Sequence, residues 1–225
     1  NLKLTFGLRF DLPLYFDTPE KIQENIDRNC CVIEDLRYFD ENGDSIRFAH
    51  TQLPDQVPLI SPRFGFNWDV NGQGQTQVRG GTGLFTGRFP FVWVGNQVAN
   101  PNFFFYNVTR PDFRFPQVWR TNLGIDQAFG EGWIATMDAI YTQDINGMMV
   151  RNYGLTAPSG TLQGVDTRVI YQPTARANDF ANNAYVFTNT DIGYTFNLTL
   201  QLQRTWGKDF YTSIGYNFLD AQDAS

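Results

Sequence analysis

Hydrophobic and polar residues alternate strictly along several stretches of this chain. In residues Asn1 to Leu12, Leu2, Leu4, Phe6, Leu8, Phe10 and Leu12 share one parity, while Lys3, Thr5, Gly7, Arg9 and Asp11 share the other. A period of two predicts a strand with one apolar and one polar face; a helix would scatter the same charges around its whole circumference. Between Ser61 and Thr86 the pattern recurs twice. Phe64, Phe66, Trp68 and Val70 alternate with Arg63, Gly65, Asn67 and Asp69, then Thr76, Val78, Gly80, Thr82 and Leu84 with Gln77, Arg79, Gly81 and Gly83. The Asp69-Val70-Asn71-Gly72-Gln73-Gly74 turn between them contains Asn-Gly, where positive φ is cheap, so the two runs predict a β-hairpin. Two further pairs follow. Val118 to Phe129 and Trp133 to about Asp144 are joined by Gly130-Glu131-Gly132, and a strand beginning at Tyr194 is joined to one beginning at Phe210 by Trp206-Gly207-Lys208-Asp209.

Three long connections separate these units: about Tyr15 to Leu59, Arg88 to Pro116, and about Asn146 to Asp191. The connections therefore run long, short, long, short, long, short, which places every tight turn at one end of the strands and every long loop at the other. The alternation fits either a soluble sandwich, with its apolar face buried, or a membrane barrel, with that face turned to lipid. Loop asymmetry and strand length favour the barrel. Strands of about 10 to 12 residues match the ~9–11 needed to cross a bilayer at a tilt, whereas soluble strands run about 5–6. The expected architecture is all-β: an antiparallel, up-and-down transmembrane β-barrel fragment of about seven strands. Its loops would be long and extracellular, its turns short and periplasmic.

Composition supports this. Aromatic content is 16%, with 21 Phe, as suits a barrel with aromatic girdles, and mean hydropathy is only −0.35 because half of each strand is polar. A net charge of −6 and a pI near 4.7 argue against nucleic acid as a partner, since no basic stripe is available for phosphates. No stretch is long and apolar enough for a transmembrane helix. The chain starts within a strand, carries no signal peptide and ends in Asp-Ala-Gln-Asp-Ala-Ser, so it reads as an interior piece of a longer polypeptide.

The alternating hairpin resembles a known family. Ser61-Pro62-Arg63-Phe64-Gly65-Phe66, Asp69-Val70-Asn71-Gly72 and Arg79-Gly80-Gly81-Thr82-Gly83 resemble the barrel of the large TonB-dependent outer-membrane receptors, the Oar-like and starch-utilisation-type relatives. Asn122-Leu123-Gly124 and Gly215-Tyr216-Asn217-Phe218 are similar to later strands of such barrels. The resemblance implies that residues 1–225 form part of one receptor barrel domain in the outer membrane of a Gram-negative bacterium. It implies contacts with outer-membrane lipid, with the remaining barrel strands and with a plug domain that this chain lacks. It further implies coupling to a TonB complex through that plug, and uptake of a small or oligomeric solute such as an oligopeptide, glycan or metal chelate. A passive or adhesive surface barrel is the alternative, and a soluble carbohydrate-binding β-sandwich a third.

Candidate chemistry is sparse. No phosphate loop, G-x-S-x-G or HExxH is present, and the single histidine, His50, has no ligand partner nearby, so an enzyme is not expected. Cys30 and Cys31 are adjacent and read as two thiols, because a vicinal disulfide closes a strained ring. No cofactor is expected. Calcium is weighed at two loops. Asp69-Val70-Asn71-Gly72-Gln73-Gly74 lacks a terminal bidentate acid, and Asp40, Asn42 and Asp44 have ligand-type oxygens but Thr51 at the twelfth position. Thr18-Pro19-Glu20 predicts a short helix start with Ile22 and Ile26 on one face. Ligand contact is expected in the Arg88 to Pro116 loop, at Trp93, Asn96, Phe103, Phe104 and Tyr106, with Asn100 and Asn102 nearby. Such aromatics either pack within the loop or stack on a sugar or peptide. Arg9, Arg63, Arg79, Arg120, Asp69, Asp126 and Asp138 are expected to line the lumen.

Overall fold

Strand periodicity translates directly into the wall of the molecule. The computed structural model describes residues 1–17, 19, 38–40, 44–47, 49, 51–99, 106–156, 158–176 and 184–223. In chain order the elements are β1 (Leu2–Asp11), β2 (Tyr38–Phe39), β3 (Ser45–Ile46), β4 (Leu59–Asp69), β5 (Thr76–Thr86), α1 (Phe91–Ala99), β6 (Tyr106–Thr109), β7 (Gln117–Phe129) and β8 (Trp133–Asp144). They continue with β9 (Gly147–Asn152), β10 (Gly160–Thr161), β11 (Val169–Ile170), β12 (Ala184–Thr190), β13 (Tyr194–Trp206) and β14 (Phe210–Gln222). Seven strands of 10 to 13 residues form one antiparallel sheet in the order β1-β4-β5-β7-β8-β13-β14. Each long strand pairs with its predecessor and successor along the chain, the meander the sequence predicts. The sheet is open, with β1 and β14 at its edges.

Register aligns an apolar and a polar row across the middle of the sheet. One row runs Leu2, Trp68, Val78, Ile125, Met137, Leu200, Tyr216; the adjacent residues on each strand give Lys3, Asn67, Arg79, Gly124, Asp138, Thr199, Asn217. The apolar face packs against no second layer: Phe6 is 73% exposed and Ile214 71%. A face of this area left open in water would aggregate; in a bilayer it is the lipid contact surface.

Aromatic residues bracket the apolar face at both ends. At the short-turn end Phe129 stacks on Trp133, Trp133 meets Trp206 edge-on, and Phe210 pairs with Trp206. At the long-loop end Tyr141 stacks on Tyr194; their hydroxyls donate to Gln143 Oε1 (2.7 Å) and Asp220 Oδ2 (3.2 Å). From Trp133 to Tyr141 the strand rises about 26 Å at ~3.3 Å per residue, and from Trp206 to Tyr194 about 40 Å. Tilted by ~40°, these spans bracket the ~25 Å apolar band of an outer-membrane barrel. Polar side chains on this face bond one another: Thr82 Oγ1 lies 2.7 Å from Thr121 Oγ1, and Trp206 Nε1 donates to Thr212 Oγ1 at 3.1 Å. Hydrocarbon offers no alternative partner.

The three short turns are built as expected. Gly72 and Gly74 adopt positive φ, and the Asp69 carboxylate accepts the Gly74 N–H at 3.2 Å through both oxygens.

The long connections depart from expectation. Arg88 to Pro116 holds helix α1 and strand β6, and 146–191 holds β9, β12 and a β10–β11 hairpin. The sequence reading takes this stretch as an aromatic loop and predicts no helix there. Its true period shows in Trp93, Val94, Gln97 and Val98, which face inward, while Phe91, Val92, Gly95 and Asn96 face out. A second sheet, β6-β12-β9, joins β12 to β6 in parallel and to β9 in antiparallel fashion. Such non-local pairing leaves no local sequence mark. The predicted helix start at Thr18 with Ile22 and Ile26, the pair Cys30 and Cys31, His50, Asn100, Asn102, Phe103, Phe104 and most of the Asp40–Asp44 turn lie outside the described residues; Asp40 Oδ1 accepts the Asp44 N–H at 2.9 Å.

Candidate functional site

Buried hydrophobic residues gather in the long connections instead of on the membrane-spanning wall. Tyr38, Val108, Tyr153, Ala184 and Val186 form one cluster; Phe89, Val94, Phe113 and Phe187 form a second, with Tyr15, Leu53 and Trp93 packed against it. Each cluster draws on all three long connections. The result is a cap with its own core, seated on the loop end of the sheet.

Aromatic geometry fixes the second cluster. Phe89 lies 4.8 Å from Phe113 and 5.7 Å from Phe187 between ring centroids, and Trp93 lies 4.9 Å from Phe187. Buried amides join the connections. Gln97 donates to Gln52 O (2.8 Å) while its Oε1 accepts the Thr109 N–H (2.8 Å), tying α1 to the first connection and to β6. Asn189 brackets the Arg114 backbone, accepting its N–H at 2.7 Å and donating to its carbonyl at 2.9 Å. Arg110 holds Asp112 with two 2.8 Å hydrogen bonds, which raise the guanidinium pKa further.

The residues expected to touch ligand are divided by this arrangement. Trp93 is half-buried on the inward side of α1, and Asn96 is exposed on its outward side beside Phe91 and Val92. Tyr106 opens β6, opposite Ala184 in the parallel ladder. Phe91 and Val92, which were not among the expected contact residues, are exposed on the outer side of α1; only the helical period separates them from Trp93 and Val94.

The polar face of the wall is the second site of interest. Arg79 on β5 pairs with Asp126 on β7 and, through NH2, with both oxygens of Asp138 on β8 at 2.9 Å. Gly124 stands between Arg79 and Asp138 in the same row, and its missing side chain is the gap the guanidinium spans. Thr136 Oγ1 donates to Asp126 Oδ1 at 2.7 Å. Farther along, Asn217 donates to Asn197 Oδ1 at 3.2 Å and to Thr199 Oγ1 at 2.8 Å, and Gln201 donates to Ser213. Arg63 lies over the Phe85 ring at 4.3 Å. No group of three or more metal-ligating side chains occurs among the described residues. This is a cross-linked polar surface of mixed charge.

Comparison with known proteins places this architecture. A family model described as an outer membrane beta barrel domain matches residues 1–217. Among solved structures, the outer membrane transporter YddB from Escherichia coli superposes with a TM-score of 0.50 at 13% identity, covering 74% of this chain. The chain spans 20% of that transporter's length. No curated protein sequence matches.

Proposed function

From a chain that belongs to the outer membrane beta-barrel domain family, we propose the wall and loop cap of a TonB-dependent transporter that imports a solute too large for open diffusion. What carries the reading is the pairing of a continuous lipid-facing wall with a folded cap drawn from every long connection. Large barrels of this kind keep a plugged lumen, whereas porins keep an aqueous channel. The mixed-charge inner face around Arg79, Asp126 and Asp138 suits a surface that meets a plug or water. Likeness to an outer-membrane transporter supports the fold on which this function is built.

Solute contact is assigned to the outer surface of the cap at Phe91, Val92 and Asn96 on α1, and the sequence adds Phe103, Phe104 and Tyr106 as candidates for the same role. Trp93 anchors α1 through Phe187. Flat apolar groups beside amides suit a neutral oligopeptide or glycan.

The intact protein, reconstituted in planar bilayers, is expected to show no steady ion conductance, and solute accumulation by cells is expected to collapse when a protonophore removes the inner-membrane gradient. Steady conductance and gradient-independent accumulation would establish the passive surface barrel instead. A triple replacement F91A/V92A/N96A is expected to weaken solute binding to whole cells with unchanged surface display; unchanged affinity would move the contact elsewhere.

A further inference from the structure

On the lipid-facing side, at the short-turn end, Arg204 forms no salt bridge among the described residues. Arg204 lies on β13 directly across from Trp133 on β8 and Thr212 on β14. Its guanidinium carbon sits 3.4 Å from the Trp206 ring centroid and 5.0 Å from that of Trp133. Among the described residues its Nε is buried with no hydrogen-bond partner. An arginine on a lipid face is costly in hydrocarbon but favourable at headgroup depth, where indoles also reside.

Beginning one residue pair deeper, the same face opens into a groove of about 720 Å³. Ala135, Met137, Leu200, Leu202, Ile214 and Tyr216 line it. Ala135 creates the opening: it stands between Gln127 and Leu202 in register, and its methyl leaves the space between longer neighbours unfilled. The volume falls within the ~300–1,000 Å³ range of small-molecule sites.

We infer that Arg204, Trp133, Trp206 and this groove form a binding site for one glycerophospholipid of the leaflet at the short-turn end. The phosphodiester accepts guanidinium hydrogen bonds, the glycerol backbone lies against the indoles, and one acyl chain fills the groove. Charge and groove lie in the order that a lipid presents phosphate and chain along the membrane normal. Bulk lipid tails are as apolar as the groove, so the chain gains packing only. The charge-assisted contact to phosphate therefore distinguishes a held lipid from a passing one.

The test uses the intact protein, purified in detergent, stripped of lipid and titrated with phosphatidylglycerol under native mass spectrometry. One lipid is expected to be retained. R204Q should weaken retention at least about tenfold, the scale of a charge-assisted hydrogen bond, while R204K, which keeps the charge, should retain most of it. A135F, which fills the groove, should weaken binding with Arg204 intact. Diacylglycerol, which lacks phosphate, and glycerol 3-phosphate, which lacks tails, should both fail at the same concentration. Heat-modifiable migration on gels verifies that each variant is folded. Equal retention of diacylglycerol and phosphatidylglycerol, or wild-type retention by a folded R204Q or A135F, would overturn the proposal. These outcomes are independent of whether the barrel transports.

Discussion

At the scale of single residues, Gly124 is the position where a small change should do most. A methyl group there would collide with Asp138 Oδ1 and come within 3.0 Å of Arg79 Cζ, so the guanidinium could no longer reach across β7. G124A is expected to destabilise the wall by about 1–3 kcal/mol, as overpacking does, read as a lower urea midpoint for the folded barrel. Combining it with D138A should add little, because the first change already breaks that contact. A second residue-scale prediction concerns pH. Hydrogen bonds from the Arg168 side chain, then from its backbone N–H, hold the Asp166 carboxyl below the usual aspartate range. A depressed folded-state pKa means the contact contributes above the unfolded value and is lost as pH falls through the folded one. Carbon-detected NMR should show Asp166 titrating below an ordinary aspartate, with R168Q raising it only part of the way because the backbone N–H of residue 168 still donates to the carboxylate.

At the scale of elements, the wall was legible and the cap was not. Strict alternation over whole strands fixes both the strand and its register, since a slip by one residue would turn Arg79 and Asp138 into lipid. Helix α1 was hidden because its short, aromatic-rich stretch reads as a loop, and the β6–β12 ladder because parallel pairing of distant segments writes nothing local. For the candidate ligand residues, type and region could be read, but which side of α1 carried each could not; Trp93 and Asn96 part company only once helical geometry is known. The cap should also behave as a separable unit. Phe89 is 2% exposed among Phe113, Phe115 and Phe187. F89A is expected to cost about 3–5 kcal/mol of cap stability. Limited proteolysis should then cut the long connections while the barrel keeps its heat-modifiable band. Simultaneous loss of the wall would show that the two are not separable.

For the whole molecule, the membrane is the second layer that the wall lacks. Substitutions on the apolar face should therefore follow depth instead of burial in protein. L200R, near mid-strand, is expected to cost about 2–4 kcal/mol, and F210R, at the girdle, about 0–1 kcal/mol, measured by equilibrium folding into vesicles. Equal penalties would mean that a protein layer, and not lipid, covers this face.

The cap has a consequence for biogenesis. Its core is assembled from pieces carried on three separate connections, with Tyr38, Val108 and Val186 meeting from three parts of the chain. None of those connections completes that cluster alone, so its packing requires all three to be on the same side of the membrane. The cap is therefore expected to become protease-resistant only after all three connections have crossed, so pulse-labelled cells should show the long connections cut early and protected late.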